Sequence, residues 1–139
     1  MTMLVAALAA VLLAGPFAPQ ADAQTRIFRF QTPSRNIGCL YSPATGRPSY
    51  LRCDVLSGLK PAPKRPCPVD WTGFSMTASG RATATCAGDT VYSRSARVLP
   101  YTSTWTRGGF TCTVQRAGLR CKNRTGRGFF LSKIRSYAF

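Results

Sequence analysis

The chain of 139 residues contains no histidine, no glutamate and only four acids, all of them aspartate. These absences exclude much familiar chemistry. Without histidine, neither a Ser-His nor a Cys-His nucleophile–base pair can be built. A metal site would have to use cysteine and aspartate alone, and no Cys-x-x-Cys pair occurs. A two-carboxylate glycosidase would have to draw on Asp54, Asp70 and Asp89. Each of these has a simpler role. Asp54 follows a half-cystine on a strand beside many arginines. Asp70 sits in the turn-like Pro68-Val69-Asp70-Trp71, and Asp89 in Ala87-Gly88-Asp89-Thr90, where an aspartate side chain commonly bonds to nearby backbone. The expectation is a protein that is not an enzyme and takes no metal and no cofactor.

The chain also lacks an apolar run of membrane length. Residues Met1 to Ala14 are almost wholly apolar, but a span needs ~20 such residues. The run suits a signal peptide, and Ala21-Asp22-Ala23 supplies a small-x-small cleavage site. It carries no Lys or Arg before the apolar stretch, which is atypical. A buried N-terminal helix is the competing reading, and Gly15-Pro16 and Pro19 would break it. The expectation is a leader over 1–23, a cut before Gln24, and one mature domain over 24–139 with no transmembrane segment, secreted or periplasmic and monomeric. An oxidising compartment would pair all six cysteines.

What the chain has in excess is positive charge: 19 Lys and Arg against the four aspartates, a formal net charge of +15. Such an excess opposes compaction and attracts polyanions. The cations are spread along the chain, with no run that would mark a disordered basic tail.

From Arg26 onward the sequence reads as short strands punctuated by Gly, Pro, Ser and Asn. Arg26 to Gln31 alternates cation and apolar residue as a half-buried strand does. Three hairpins follow. In the first, a turn around Gly46 sets Cys39 against Cys53, Ile37 against Val55 and Tyr41 against Leu51 on one face, with Arg52 and Asp54 on the other. Leu59 to Pro68 holds four prolines and reads as an extended basic connector. In the second hairpin, a three-residue loop Ala78-Ser79-Gly80 with Gly80 left-handed sets Phe74 against Ala84, Met76 against Ala82 and Thr72 against Cys86. In the third, Cys112 meets Cys121, Val114 meets Leu119 and Phe110 meets Asn123. Leu51-Arg52-Cys53 and Leu119-Arg120-Cys121 repeat one tripeptide in two hairpins. The chain closes with Gly128-Phe129-Phe130-Leu131 and then Ser132 to Phe139, where Ser132 suits the cap of a short helical turn.

Six cysteines allow 15 connectivities. The two hairpin registers select Cys39–Cys53 and Cys112–Cys121, and elimination leaves Cys67–Cys86. The fold class expected is all-β: small disulfide-stapled antiparallel sheets built from three hairpins, as a sandwich or a partly open barrel. On the face of the third hairpin opposite Leu119 and Cys121, the residues Arg120, Lys122 and Arg124 form a basic stripe without an acid in the strand. Trp71, Tyr92, Tyr101, Trp105 and Tyr137 stand among cations as in a single-strand nucleic-acid platform, but the favoured reading is ordinary core of a small β domain. Asn123-Arg124-Thr125 matches a glycosylation sequon, a pattern too common to carry weight.

The order of motifs resembles an exported bacterial family of unknown function. The residues that carry it are Thr32-Pro33-Ser34-Arg35-Asn36-Ile37-Gly38-Cys39, Leu51-Arg52-Cys53-Asp54, Cys67-Pro68-Val69-Asp70-Trp71, Gly88-Asp89-Thr90, Leu99-Pro100-Tyr101, Gly109-Phe110-Thr111-Cys112 and Gly128-Phe129-Phe130-Leu131-Ser132. Arg127 stands where the family tends to show His, Thr102 where it tends to show Gly, and Thr72 where Gly usually follows the Trp. The resemblance implies export, six half-cystines and one compact domain, and it lends no activity. The function expected is an exported basic binding domain whose partner is an anionic polymer or surface. The runner-up is a secreted cationic effector or inhibitor acting on a protein or a membrane. An Asp-dependent hydrolase stands third.

Overall fold

In a computed structural model, which describes Gly15 and residues 26–139, the chain is an all-β sandwich. The expected cut before Gln24, and all of the leader except Gly15, lie outside the described residues. Eleven strands follow in order: β1 Phe28–Gln31, β2 Ile37–Ser42, β3 Tyr50–Val55, β4 Asp70–Thr77, β5 Thr83–Ala87, β6 Arg97–Val98, β7 Thr104–Arg107, β8 Phe110–Gln115, β9 Gly118–Asn123, β10 Gly128–Leu131 and β11 Ser136–Ala138. They form a six-stranded sheet, β5-β4-β3-β2-β1-β6, and a five-stranded sheet, β11-β10-β9-β8-β7. Neither closes into a barrel. All pairings are antiparallel except β1 with β6.

Alternate residues of both sheets turn inward, as period-two patterning dictates. Phe30, Leu51, Phe110, Val114, Leu119, Phe129 and Leu131 are fully buried in one cluster between the sheets. Aromatic rings join the two layers: Phe74 of β4 stacks on Phe129 of β10, and Tyr41 of β2 meets Phe110 of β8 edge-on. Polar ties add to this. Asn123 Nδ2 donates to the carbonyls of Thr77 and Gly80 across the sandwich, at 3.1 and 2.6 Å. Thr125 donates to Asn123 Oδ1 through its amide and its hydroxyl. The sequon asparagine is thus buried and spent on tertiary structure.

The first and third hairpins have the registers expected from sequence. Cys39 pairs with Cys53, Ile37 with Val55 and Tyr41 with Leu51; Cys112 pairs with Cys121, Val114 with Leu119 and Phe110 with Asn123. The disulfides are Cys39–Cys53, Cys67–Cys86 and Cys112–Cys121, with no free cysteine. The first and third lie in the core on directly facing residues, Cα atoms 4.1 Å apart. That is the close spacing of a non-hydrogen-bonded antiparallel pair. Three disulfides and no thiol fit an oxidising environment outside the cytoplasm.

The second hairpin departs from expectation. Phe74 does face Ala84, but a bulge at Thr72 sets Trp71, not Thr72, against Cys86. The extra residue returns Trp71 to the core side and leaves the Thr72 hydroxyl on the outer side, 3.5 Å from an Arg52 Nη. The ladder ends at Ser75–Thr83, so Met76 and Ala82 are not a ladder pair and the loop runs over 78–82. Gly80 is not left-handed; its amide is held by Thr77 Oγ1 at 3.0 Å. Gly46, by contrast, has φ 70° in the first hairpin's turn.

The C-terminal segment also differs. Ser132 does not start a helix. Its Oγ accepts from the amides of Ile134 and Arg135 and donates to the Arg135 carbonyl, closing a tight turn into β11. The free edge of β10 offers unpaired backbone, and a strand there satisfies more of it than an isolated helical turn would.

Candidate polyanion-binding face

Asp54 accepts four hydrogen bonds on the six-stranded sheet. It lies on the outer face of β3, yet it is only 1% exposed. The crossing segment over 88–94 covers that face: a Cβ on Gly38 would approach Tyr92 Cα to 2.8 Å. Asp54 accepts from Arg52 Nε and an Arg52 Nη at 3.0 Å each, from Thr90 Oγ1 at 3.1 Å and from the Val91 amide at 2.9 Å. Arg52 also reaches the Asp89 carboxylate and carbonyl, each at 3.1 Å. Burial pulls the Arg52 guanidinium pKa down, but its hydrogen bonds and charge pairing with Asp54 and Asp89 outweigh this and hold it above its ordinary value. Asp54, Asp70 and Asp89 do line one cleft. A carboxylate engaged by four donors has its lone pairs committed, two to Arg52 and two to the crossing segment. Among the described residues no three His, Cys, Asp or Glu side chains are placed to hold a metal ion, and no helix is long and apolar enough to cross a membrane.

The five-stranded sheet is electrostatically the reverse. From Thr104 to Phe139 the sequence has eight cations and no acid. Its outer face is banded by the strand register. Thr104 and Thr106 of β7 and Thr111 and Thr113 of β8 form a hydroxyl band. Arg120 and Lys122 of β9 follow, opposite Thr113 and Thr111. Phe130 of β10 lies beside Arg120, and Tyr137 of β11 beside Phe130. Phe139 exchanges two backbone hydrogen bonds with Gly128.

Guanidinium groups lie over this aromatic band. Arg120 sits 3.8 Å from the Phe139 ring centroid, and Arg135 lies 5.2 Å from Tyr137 and 5.8 Å from Phe130. Phe130 and Tyr137 stack on each other at 5.3 Å. Stacking fixes a planar guanidinium through its face, which leaves its in-plane N–H edges available to an oxyanion. Neither arginine has a carboxylate partner among the described residues.

The repeated Leu-Arg-Cys tripeptide shows how context decides function. In both hairpins Leu and Cys point inward and Arg outward. Arg52 is covered by the crossing segment and neutralised by aspartate, whereas Arg120 stays open and unneutralised.

Of the three stripe residues expected from sequence, Arg120 and Lys122 are neighbours on this face. Arg124 lies past the end of β9, where its amide donates to Ala78 and its guanidinium packs over Gly109. Of the five aromatics, only Tyr137 belongs to the face. Trp105 packs among Phe28, Phe30 and Tyr41, Trp71 and Tyr101 lean on the core, and Tyr92 covers Gly38. Sequence reasoning missed Arg135 and Phe139. Their signal is the alternation Arg135, Tyr137, Phe139 at every second residue, which places all three on one side of a strand.

No curated protein and no solved structure matches the chain. A family model does match, over residues 7–139, and the chain belongs to that family, a family of unknown function (DUF6636).

Proposed function

We propose that the protein is an exported basic domain that holds an anionic polymer of the cell envelope or extracellular space on the outer face of its five-stranded sheet, and that it binds rather than catalyses. The observation that carries this is the pair of ring-stacked arginines beside Lys122, on a sheet without a single acid. A sheet face with threonine hydroxyls on one flank and aromatic rings on the other suits a chain of repeating phosphate, sulfate or carboxylate groups. The three disulfides support export. So does the leader-like segment over 1–23.

Polyanion binding releases counterions, so affinity falls with salt in proportion to the number of anionic groups the protein neutralises. Changing Arg120, Lys122 and Arg135 together to Ser should lower the slope of log affinity against log salt by roughly 0.7–0.9 for each anionic group left unneutralised. Arg124→Ser alone should change it less, because that guanidinium is turned over Gly109. Heparin and single-stranded DNA affinities at several salt concentrations provide the measurement. An unchanged slope in a folded triple variant would mean that the face is only a solvated surface.

A further inference from the structure

A second cationic feature lies at one end of the sandwich, apart from the sheet face. Three turns meet there: 32–36 between β1 and β2, 116–117 between β8 and β9, and 132–135 between β10 and β11. Between them is a cleft of about 640 Å³. Arg35, Arg116 and Lys133 line it, Ile37 and Tyr101 give it an apolar wall, and no acid lines it. Arg116 is held over Tyr101, 4.6 Å from the ring centroid. Arg35 adopts φ 57°, a left-handed conformation that a non-glycine residue rarely takes.

Ile134 also lines this cleft; it is 83% exposed and the most exposed of the large apolar side chains described. It is not on a loose tail. The Ile134 and Arg135 amides both bind Ser132 Oγ, and the Ser132 amide and hydroxyl both donate to the Arg135 carbonyl, at 2.9 and 2.8 Å. The turn therefore presents an isoleucine to water in a fixed position, between Lys133 and Arg135. A lone exposed apolar residue needs no explanation. One fixed at the tip of a turn, flanked by cations and lining a basic cleft, matches the two demands of a lipid surface: an apolar group for the acyl boundary and positive charge for anionic head groups.

We propose that this end of the sandwich docks on an anionic lipid surface, with a head-group phosphate in the cleft between Arg35, Arg116 and Lys133 and with Ile134 in the interface. The charge of the cleft selects the lipid and the isoleucine selects a membrane over a dissolved polymer. The residues differ from those of the sheet face, so either site can fail without the other.

The test uses the full mature chain with vesicles of phosphatidylcholine alone or mixed with phosphatidylglycerol. Sedimentation should show binding to the mixed vesicles and little to the neutral ones. Ile134→Ser should weaken vesicle binding roughly tenfold and leave heparin affinity unchanged. Changing Arg35, Arg116 and Lys133 together to Gln should weaken it by roughly fivefold per charge. All four positions are exposed turn residues, and an unchanged urea midpoint checks that the variants fold. A direct readout comes from Ile134→Trp, whose fluorescence above the wild-type signal should be quenched by brominated acyl chains. Equal binding to neutral vesicles, wild-type binding by Ile134→Ser, or no quenching would overturn the proposal. So would tight binding of free glycerol phosphate without vesicle binding, which would make the cleft a site for a dissolved phosphate.

Discussion

Reducing all three disulfides should unfold the protein at physiological temperature. In the chain-entropy description, each bond restricts the unfolded chain by roughly 3 kcal/mol for loops of the sizes closed here, with sequence separations of 14, 19 and 9. Three such terms are comparable to the whole stability of an ordinary domain, about 5–15 kcal/mol. The charge imbalance acts in the same direction, since a chain with net charge +15 repels itself when compact. The order of reduction is also expected. Cys86 is exposed and Cys67 half-buried, so this bond is open to a thiol in the native state. Cys39, Cys53, Cys112 and Cys121 are at most 1% exposed, so their bonds wait for the sandwich to open. Under native conditions with dithiothreitol, timed alkylation and mass mapping should show Cys67 and Cys86 labelled first. Circular dichroism should hold through that step and collapse when the core pairs go. Retention of the native spectrum after full reduction would show that the core suffices alone.

Much of the fold was legible because two independent signals coincided. In the first and third hairpins the alternation of apolar residues and the position of the half-cystines demand the same register, and a slip by one residue would turn both outward. The second hairpin had the alternation but not the same constraint. Its disulfide joins β5 to the proline-rich connector rather than to β4, so nothing in the sequence reported the bulge at Thr72. The two residues of β6 are too few to show a period, and β11 shows one only when Arg135 and Phe139, which flank it, are counted. They exist because an edge stands open beside them: β6 lies along β1, where Gln31 Nε2 donates to the carbonyls of Arg94 and Ala96, and β11 lies along β10. The site divides the same way. Arg120 and Lys122 were readable as outward residues of a strand whose register was known. Arg124 was misplaced because β9 ends before it, and Arg135 and Phe139 were missed because their strand was. Alternation assigned Arg52 and Asp54 correctly to the outer side of β3. It could not report that the distant segment 88–94 covers that side and removes it from solvent.

That covered pair should be the costliest polar site to break from one side. Asp54→Ala removes the acceptor for two arginine N–H groups, the Val91 amide and the Thr90 hydroxyl in a site closed to water. Breaking a buried ion pair from one side typically costs ~3–5 kcal/mol, because the surviving charge is left without a partner. Here Arg52 keeps its bonds to Asp89, which places the expected loss near the lower end, about 3 kcal/mol. Asp89→Ala should cost far less, since its side chain is 77% exposed and an ion pair in water is worth ~0–1 kcal/mol. The double variant Arg52→Met with Asp54→Leu separates charge from hydrogen bonding. It leaves no buried unpaired charge, since the Asp89 carboxylate it frees is 77% exposed, and so should be more stable than Asp54→Ala. It should still fall short of the parent by the cost of the stranded Val91 amide, about 1–3 kcal/mol. Equilibrium urea unfolding of the oxidised protein measures all three. Equal losses for Asp54→Ala and Asp89→Ala would show that the crossing segment over 88–94 is held by its own packing, and that the carboxylate beneath it is not what fastens it to the sheet.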